Sequence, residues 1–212
     1  MPQVLKEEVR RRIVAAALEI FAARGYASAT ISAIAERAGI GAASLYRYYA
    51  GKAELFAAVV PAALAERFEA LLEGRVQALA HLSGAAARGR GDGGADELLD
   101  FWIEARLAVV ILLDRAEGTA YARYGERFVE LLTTATLAQI EDATPGILIP
   151  APARFVLARI FEGTRRTLAA ILEEHADEAA LRQAIAAFWS YQLPGLAGFA
   201  RRLREAQLQG AR

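Results

Sequence analysis

Four residues near position 50 carry side chains suited to one kind of chemistry. Tyr46, Arg47, Tyr48 and Lys52 bring two phenols, a guanidinium and an ammonium together within seven positions. Hydroxyl and ammonium groups hold phosphate oxygens, and a guanidinium can grip the O6 and N7 edge of guanine with two hydrogen bonds. A second set lies farther along. Trp102 and Arg106 are four positions apart and would share a helix face, and a buried guanidinium is costly unless an acid or a ligand meets it. Enzyme chemistry finds less support. His81 and His175 stand apart from any partner at a metal-ligand spacing, no G-x-S-x-G elbow or P-loop occurs, and the acidic pair Glu173 and Glu174 falls at a charged helix end. The chain has no cysteine, which excludes disulfides and thiolate chemistry. No catalytic residue, metal or cofactor is expected.

The elements that must position these groups are helical. Ala, Leu, Arg and Glu dominate, aromatics are sparse, and β-branched residues rarely alternate with polar ones, so an all-α protein is expected. The apolar run from Leu107 to Leu113 lies between Arg106 and Asp114 and is far below the roughly 20 residues of a membrane span. With no resemblance to a signal peptide at the start, a soluble, cytoplasmic protein is expected. The formal net charge of zero conceals a division. Residues 1–52 hold eight basic and four acidic residues, and the rest of the chain holds seventeen basic and twenty-one acidic. A positive end on an otherwise acidic chain suits approach to phosphate, although ordinary variation on solvated helix faces could produce the same imbalance.

A first helix is expected from about Val4 to Arg24, with Val9, Ile13, Ala17, Ile20 and Phe21 as its apolar stripe and Gly25 as its C-terminal cap. Thr30 is a good N-cap for a second, two-turn helix that buries Ile31, Ile34, Ala35 and Ala38 and stops at Gly39. A third helix begins near Ala42 and sets Leu45 and Tyr49 on one side, leaving Ser44, Arg47 and Tyr48 facing elsewhere. Two short helices joined by a glycine-containing turn and braced by the first form a helix-turn-helix, whose second helix suits the major groove. An ordinary helical hairpin inside a larger core is the alternative. The cluster Tyr46, Arg47, Tyr48 and Lys52 argues against it, while Tyr46 and Tyr49 could also serve as packing residues.

The stretch from Arg24 to Leu55, with Thr30, Ile34-Ala35, Ala38-Gly39-Ile40, Leu45-Tyr46-Arg47-Tyr48-Tyr49 and Lys52 at the motif positions, resembles the TetR/AcrR family of bacterial transcriptional regulators. The match covers roughly the first quarter of the chain. Gly41 stands where the family commonly has a Ser cap, Ala42 and Ala43 offer no polar base-readers, and Tyr49 replaces a frequent Phe. By this resemblance Thr30, Tyr46, Tyr48 and Lys52 would touch phosphates, and Ser32, Ser44 and Arg47 would be the candidates for base edges. The resemblance also implies a helical ligand cavity and a dimer formed through the last two helices.

Beyond the head, a single helix is expected from Lys52 to His81, then a loop from Ser83 to Asp96. Within that loop Gly89, Gly91 and Gly94 fit G-x-G-x-x-G, but without a preceding strand a flexible linker is the better reading. A helix from Asp96 to Arg115 is apolar nearly all round and must be central. Trp102, Arg106, Val109 and Leu113 on it, with Tyr121, Tyr124 and Phe128 on the next helix (Thr119 to Asp142, with Gly125 as a possible bend), are the expected ligand-cavity residues. For any single aromatic, core packing is the stronger reading. After a turn from Thr144 to Pro152, helices are expected near Ala153 to Glu174 and Asp177 to Arg204, with Pro194 interrupting or kinking the last. Their stripes, Leu157, Phe161, Thr164 and Leu168 on one and Ile185, Phe188, Gln192 and Leu196 on the other, suit a four-helix contact with a second copy, or else cover the pocket helices.

The expected architecture is therefore an all-α chain of about nine helices: a helix-turn-helix domain over residues 1–51 and a helical ligand-binding and dimerisation domain over residues 52–212. The expected function is a homodimeric repressor on a palindromic DNA operator, released by a small, largely apolar effector and needing no membrane. Two other readings stay open: a helical small-molecule binder or enzyme with a structural N-terminal module, and a general DNA-coating protein without effector.

Overall fold

Spacing of small and apolar residues dictates the head of the molecule. In a computed structural model the helix α1 (Pro2–Ser28) buries Ile13, Ala17 and Phe21, and Gly25 breaks it with φ 74° and ψ 157°. That conformation is open to glycine and strained for residues with a Cβ. Thr30 caps α2 (Ile31–Arg37), its hydroxyl accepting from the Ala33 N–H at 3.2 Å. Gly39, at φ 68°, turns the chain into the single-turn helix α3 (Ala42–Leu45). Leu45 and Tyr49 are both buried, as their four-residue spacing requires.

The structure describes residues 2–81 and 93–210, which form ten α-helices and one π-helical turn; among them there is no strand. The glycine-rich stretch expected to be a loop lies largely outside these residues. No helix among them is long and apolar enough to cross a membrane. One apolar core runs without interruption from Ile13 of α1 to Ile185 near the chain's end.

Three long helices expected from periodicity are arranged differently. The helix from Lys52 to His81 is two, α4 (Lys52–Val59) and α5 (Ala62–His81), because Pro61 has no N–H to continue the ladder and disfavours helical backbone at Val60, whose φ and ψ are −123° and 75°. The helix from Asp96 to Arg115 starts earlier and divides at Ala105 into α6 (Gly93–Glu104) and α7 (Arg106–Val110), followed by a π turn over Ile111–Arg115. The next helix, α8 (Tyr124–Ala143), begins five residues later than expected, after a turn holding Gly118 at φ 82°. Then come α9 (Ala151–Glu174) and α10 (Glu178–Gly210). Pro194 does not terminate α10. It removes one intrahelical donor from the Ser190 carbonyl, and Ser190 is exposed, so water can take that donor's place.

Two side chains fasten the carbonyl end of α1. The half-buried Lys52 ammonium donates to the carbonyls of Tyr26 (2.8 Å), Ala27 (3.2 Å) and Ala29 (3.0 Å) and lies 4.4 Å from the centre of the Tyr26 ring. Three N–H donors meet three acceptors, so the ammonium is spent inside the protein rather than turned toward a phosphate as expected. From the π turn, Arg115 Nε donates to the Ala22 carbonyl at 3.2 Å. The same turn is tied to α9. Arg165 donates to the Leu113 carbonyl and, at 2.8 Å, to Asp114, and Arg115 pairs with Glu173 at 3.3 Å. Hydrogen bonds from Arg165 hold the Glu162 carboxyl down at about 2 against the opposing push of burial.

Gly125 is a close-packing residue rather than a bend. A Cβ there would press on the Leu113 carbonyl oxygen and the Arg165 side chain. Gly125→Ala is therefore expected to lower stability by about 1–3 kcal/mol. Gly74→Ala, on an exposed stretch of α5 with nothing near its Cβ, should raise it by about 0.5–1 kcal/mol. Urea denaturation of both variants checks the contrast. Lys52→Met, which strands three carbonyls, should cost about 1.5–3 kcal/mol in the same measurement.

Candidate functional site

The helix-turn-helix places its polar side chains unequally. Ser32, Tyr46, Arg47 and the capping Thr30 are exposed; Ser44 and Tyr48 are half-buried. Arg47 Nη2 donates to Ser44 Oγ at 3.2 Å, which couples two of the expected base-reading groups across one helical turn. Tyr46, 56% exposed, is free of the core, and Tyr49 packs inside it, which answers the question of which tyrosine is structural. Burial pushes the Tyr49 phenol up, against the pull of Arg10. Arg10 lies 5.8 Å from the centre of that ring, and so brings the basic start of α1 against the base of the α3 segment. Sequence reasoning missed this pairing; the signal was the run Arg10, Arg11 and Arg12 in an otherwise balanced helix. The N-cap of α3, Gly41, offers no side-chain hydrogen bond, and Gly41 and Ala43 are exposed, so this end can approach a surface closely without itself reading it.

The expected ligand cavity is divided. Trp102, Val109, Leu113, Tyr124 and Phe128 are buried. The rings of Phe101, Trp102, Tyr124 and Phe128 close around Phe68, with centroid separations of 5.5–6.5 Å. Tyr121 is half-buried between Phe56 and Tyr124. These aromatics are core. Arg106 parts company with Trp102 because the helix breaks between them at Ala105, and its guanidinium meets a backbone acceptor instead of an acid, donating to the Leu172 carbonyl at 2.9 Å. Arg106 faces a cleft of about 590 Å³ bounded by α1, α4, α5 and the α6–α7 break. Tyr124 and Phe128 show an edge to a smaller cleft of about 290 Å³ between α5 and α8, rimmed by Glu69, Glu73, Glu130 and Arg127. Burial pushes the Tyr124 phenol well up, and its hydroxyl donates to the Ala65 carbonyl at 3.1 Å.

The expected dimer stripes also face inward. Leu157, Phe161, Thr164, Leu168 and Ile185 are buried within the single chain, Phe188 and Leu196 are half-buried, and Gln192 donates to Thr164 at 2.9 Å between α9 and α10. Periodicity located the apolar face correctly but assigned it to a second copy, when the chain's own core covers it. The outer faces are apolar in their own way: Phe155 and Val156 on α9 and Tyr191 and Leu193 on α10 are exposed, and a Cβ at Gly163 of α9 would meet nothing. Among the described residues no group of three or more His, Cys, Asp or Glu is placed to hold a metal.

Comparison with known proteins converges on the head. Residues 13–59 match the family model for bacterial regulatory proteins of the tetR family. Over 54 residues, 26% of this chain and 25% of the relative, the chain is 44% identical to the HTH-type transcriptional regulator SrpR of Pseudomonas putida. Over 55 residues, again 26% of this chain and 25% of the relative, it is 40% identical to the HTH-type transcriptional activator FasR of Mycolicibacterium smegmatis. The match thus spans about a quarter of the length of these relatives. A TetR family regulator from Chloroflexus aurantiacus aligns in structure over 94% of this chain and 93% of its own, with 21% identity and a TM-score of 0.48. The match begins at Ile13, in the buried stripe of α1, and ends at Val59, just before Pro61 breaks the helix, so it takes in the whole helix-turn-helix with α4 and the part of α1 from Ile13 onward. Over that module the chain is similar to the bacterial regulatory proteins of the tetR family.

Proposed function

We propose that the chain is a DNA-binding transcriptional regulator, acting as a homodimeric repressor on a palindromic operator and released by a small-molecule effector. Residues 1–51 are the DNA-binding unit in this reading, and residues 52–212 carry the effector site and the dimer face. The observation that carries it is the exposure of Thr30, Ser32, Tyr46 and Arg47 around a helix pair whose inward side chains Ile34, Ala35, Leu45 and Tyr49 are buried. A fully buried hairpin would have no reason to keep a guanidinium, a phenol and two hydroxyls in water.

The division of labour follows from chemistry. Tyr46 and Thr30 hydroxyls fix register on phosphates, and Arg47, with Ser44 and Ser32, addresses base edges. A two-fold dimer sets two such segments into successive major grooves, about 34–36 Å apart. For the dimer face the outer sides of α9 and α10 are better suited than the buried stripes. There Phe155, Val156, Tyr191 and Leu193 remain uncovered, and small residues such as Gly163 allow helices to approach closely. The effector acts only through a difference in affinity between the DNA-bound and released conformations, typically 1–3 kcal/mol of coupling.

Titration of purified protein against the DNA flanking its own gene and against scrambled DNA, at fixed salt, tests the reading: preference for one palindrome is expected, and equal or no binding overturns it. Arg47→Ala should weaken the specific site by about 1–3 kcal/mol, and unchanged affinity would remove Arg47 from base reading. Leu193→Glu should shift the chain from dimer to monomer in sedimentation velocity and abolish operator binding at the concentrations where wild type is saturated.

A further inference from the structure

We propose that the 590 Å³ cleft at the junction of head and body is a binding site for an amphiphilic carboxylate, and that its occupation controls the head; the second half rests on the DNA-binding reading above.

The cleft exists because two helices break at one level. Val59 and Ala63 flank the break at Val60–Pro61, and Glu104 and Arg106 flank the break at Ala105; all four line the cleft. Its volume falls in the range of small-molecule sites, roughly 300–1,000 Å³. Leu18 of α1, Val59 of α4, Leu64 of α5, and Phe101 and Leu107 across the second break give it an apolar wall. The charged groups on it are Arg67, Arg106 and Glu104, two cations against one anion.

Those cations are placed for exchange. Arg67 meets Glu104 at 3.4 Å with both side chains more than half exposed, a pairing of little strength, and its guanidinium lies 5.1 Å from the centre of the Phe101 ring. Arg106 is steadied by the Leu172 carbonyl through Nη1 alone, and among the described residues no other hydrogen bond of that guanidinium is seen. A carboxylate with an apolar chain satisfies both features: the chain covers the leucine and phenylalanine wall, and the head takes the excess positive charge as charge-assisted hydrogen bonds. An amine head would meet two guanidiniums, and an uncharged head would leave the charge unanswered.

Position gives the site its consequence. Leu18 and Val59 belong to α1 and α4, the helices that brace the helix-turn-helix, and the remaining wall belongs to the body. A molecule seated between them binds both halves at once, and its affinity depends on how they are set against each other.

Isothermal titration of the full chain with decanoate, decanol and decyltrimethylammonium, below their micellar concentrations, tests the site without DNA. Saturable binding of one decanoate per chain is expected, with decanol about tenfold weaker and no heat from the ammonium. Ala63→Trp, which fills the cleft from an exposed position, should abolish decanoate binding. Arg67→Gln, a surface change that keeps the fold if the larger residue does not, should weaken decanoate about tenfold and leave decanol unchanged. No saturable decanoate binding, or binding indifferent to either variant that folds, overturns the site. Addition of decanoate to the DNA complex should lower DNA affinity; binding of decanoate with no change in that affinity overturns the control. Failure of the unliganded protein to bind DNA sinks the regulator reading and leaves the calorimetric result standing.

Discussion

The C-terminal carbonyls of α1 need donors, and much of the architecture follows from where those donors come from. A helix end leaves its last carbonyls without intrahelical partners, and here the break at Gly25 adds to the shortage. Lys52 supplies three N–H groups from the start of α4, and Arg115 supplies one from the π turn in the middle of the body. The same few residues of α1 are thus joined at one side to the segment that follows α3 and at the other to a turn held by α9 through Asp114, Arg165 and Glu173. A π turn suits this position. The helix ends at Arg115, which leaves the Leu113 carbonyl in its last turn to Arg165, and Gly125 lets α8 press against the same oxygen.

Features set by neighbouring residues were legible in the sequence. Thr30 caps α2, Gly39 takes the left-handed turn, and Leu45 and Tyr49 are buried together, because each depends on backbone geometry within a few positions. The all-helical class was legible for the same reason. Pro61, which has no N–H to continue the ladder, is the local sign of the break between α4 and α5. The break at Ala105 carries no local signal, since Ala is the best helix former. That break also undid the pairing of Trp102 with Arg106, which depended on an unbroken helix.

Assignment of the apolar stripes to a partner failed for a different reason. A 3.6-residue repeat says that one face leaves water, not what covers it. On α9 the strong stripe through Leu157, Phe161 and Leu168 is the chain's own core, and the weaker outer face, with Phe155, Val156 and Gly163, carries no repeat strong enough to be noticed. Aromatics behave similarly. Phe68 gathers four rings into a packed cluster, so the side chains that looked most like a ligand cage are the ones that fill the interior, while the space that remains lies at the helix breaks.

The charge division between head and body is real in the sequence and smaller in the folded protein. Of the eight basic residues in positions 1–52, Lys52 is turned inward onto carbonyls and Arg10 lies against the Tyr49 ring. Arg37 is joined to Glu19 at 2.5 Å, with both side chains about half exposed; such a pair is weak in water and can exchange its carboxylate for a phosphate. Arg11, Arg12, Arg24 and Arg47 are exposed. Counterion release counts the cations that reach phosphate, not those in the formula, and each such contact adds about 0.9 to the logarithmic salt slope. In the proposed reading the cations free to meet phosphate are therefore the exposed arginines of α1 and Arg47, while Lys52, which the family resemblance placed among the phosphate contacts, ties the start of α4 to the end of α1.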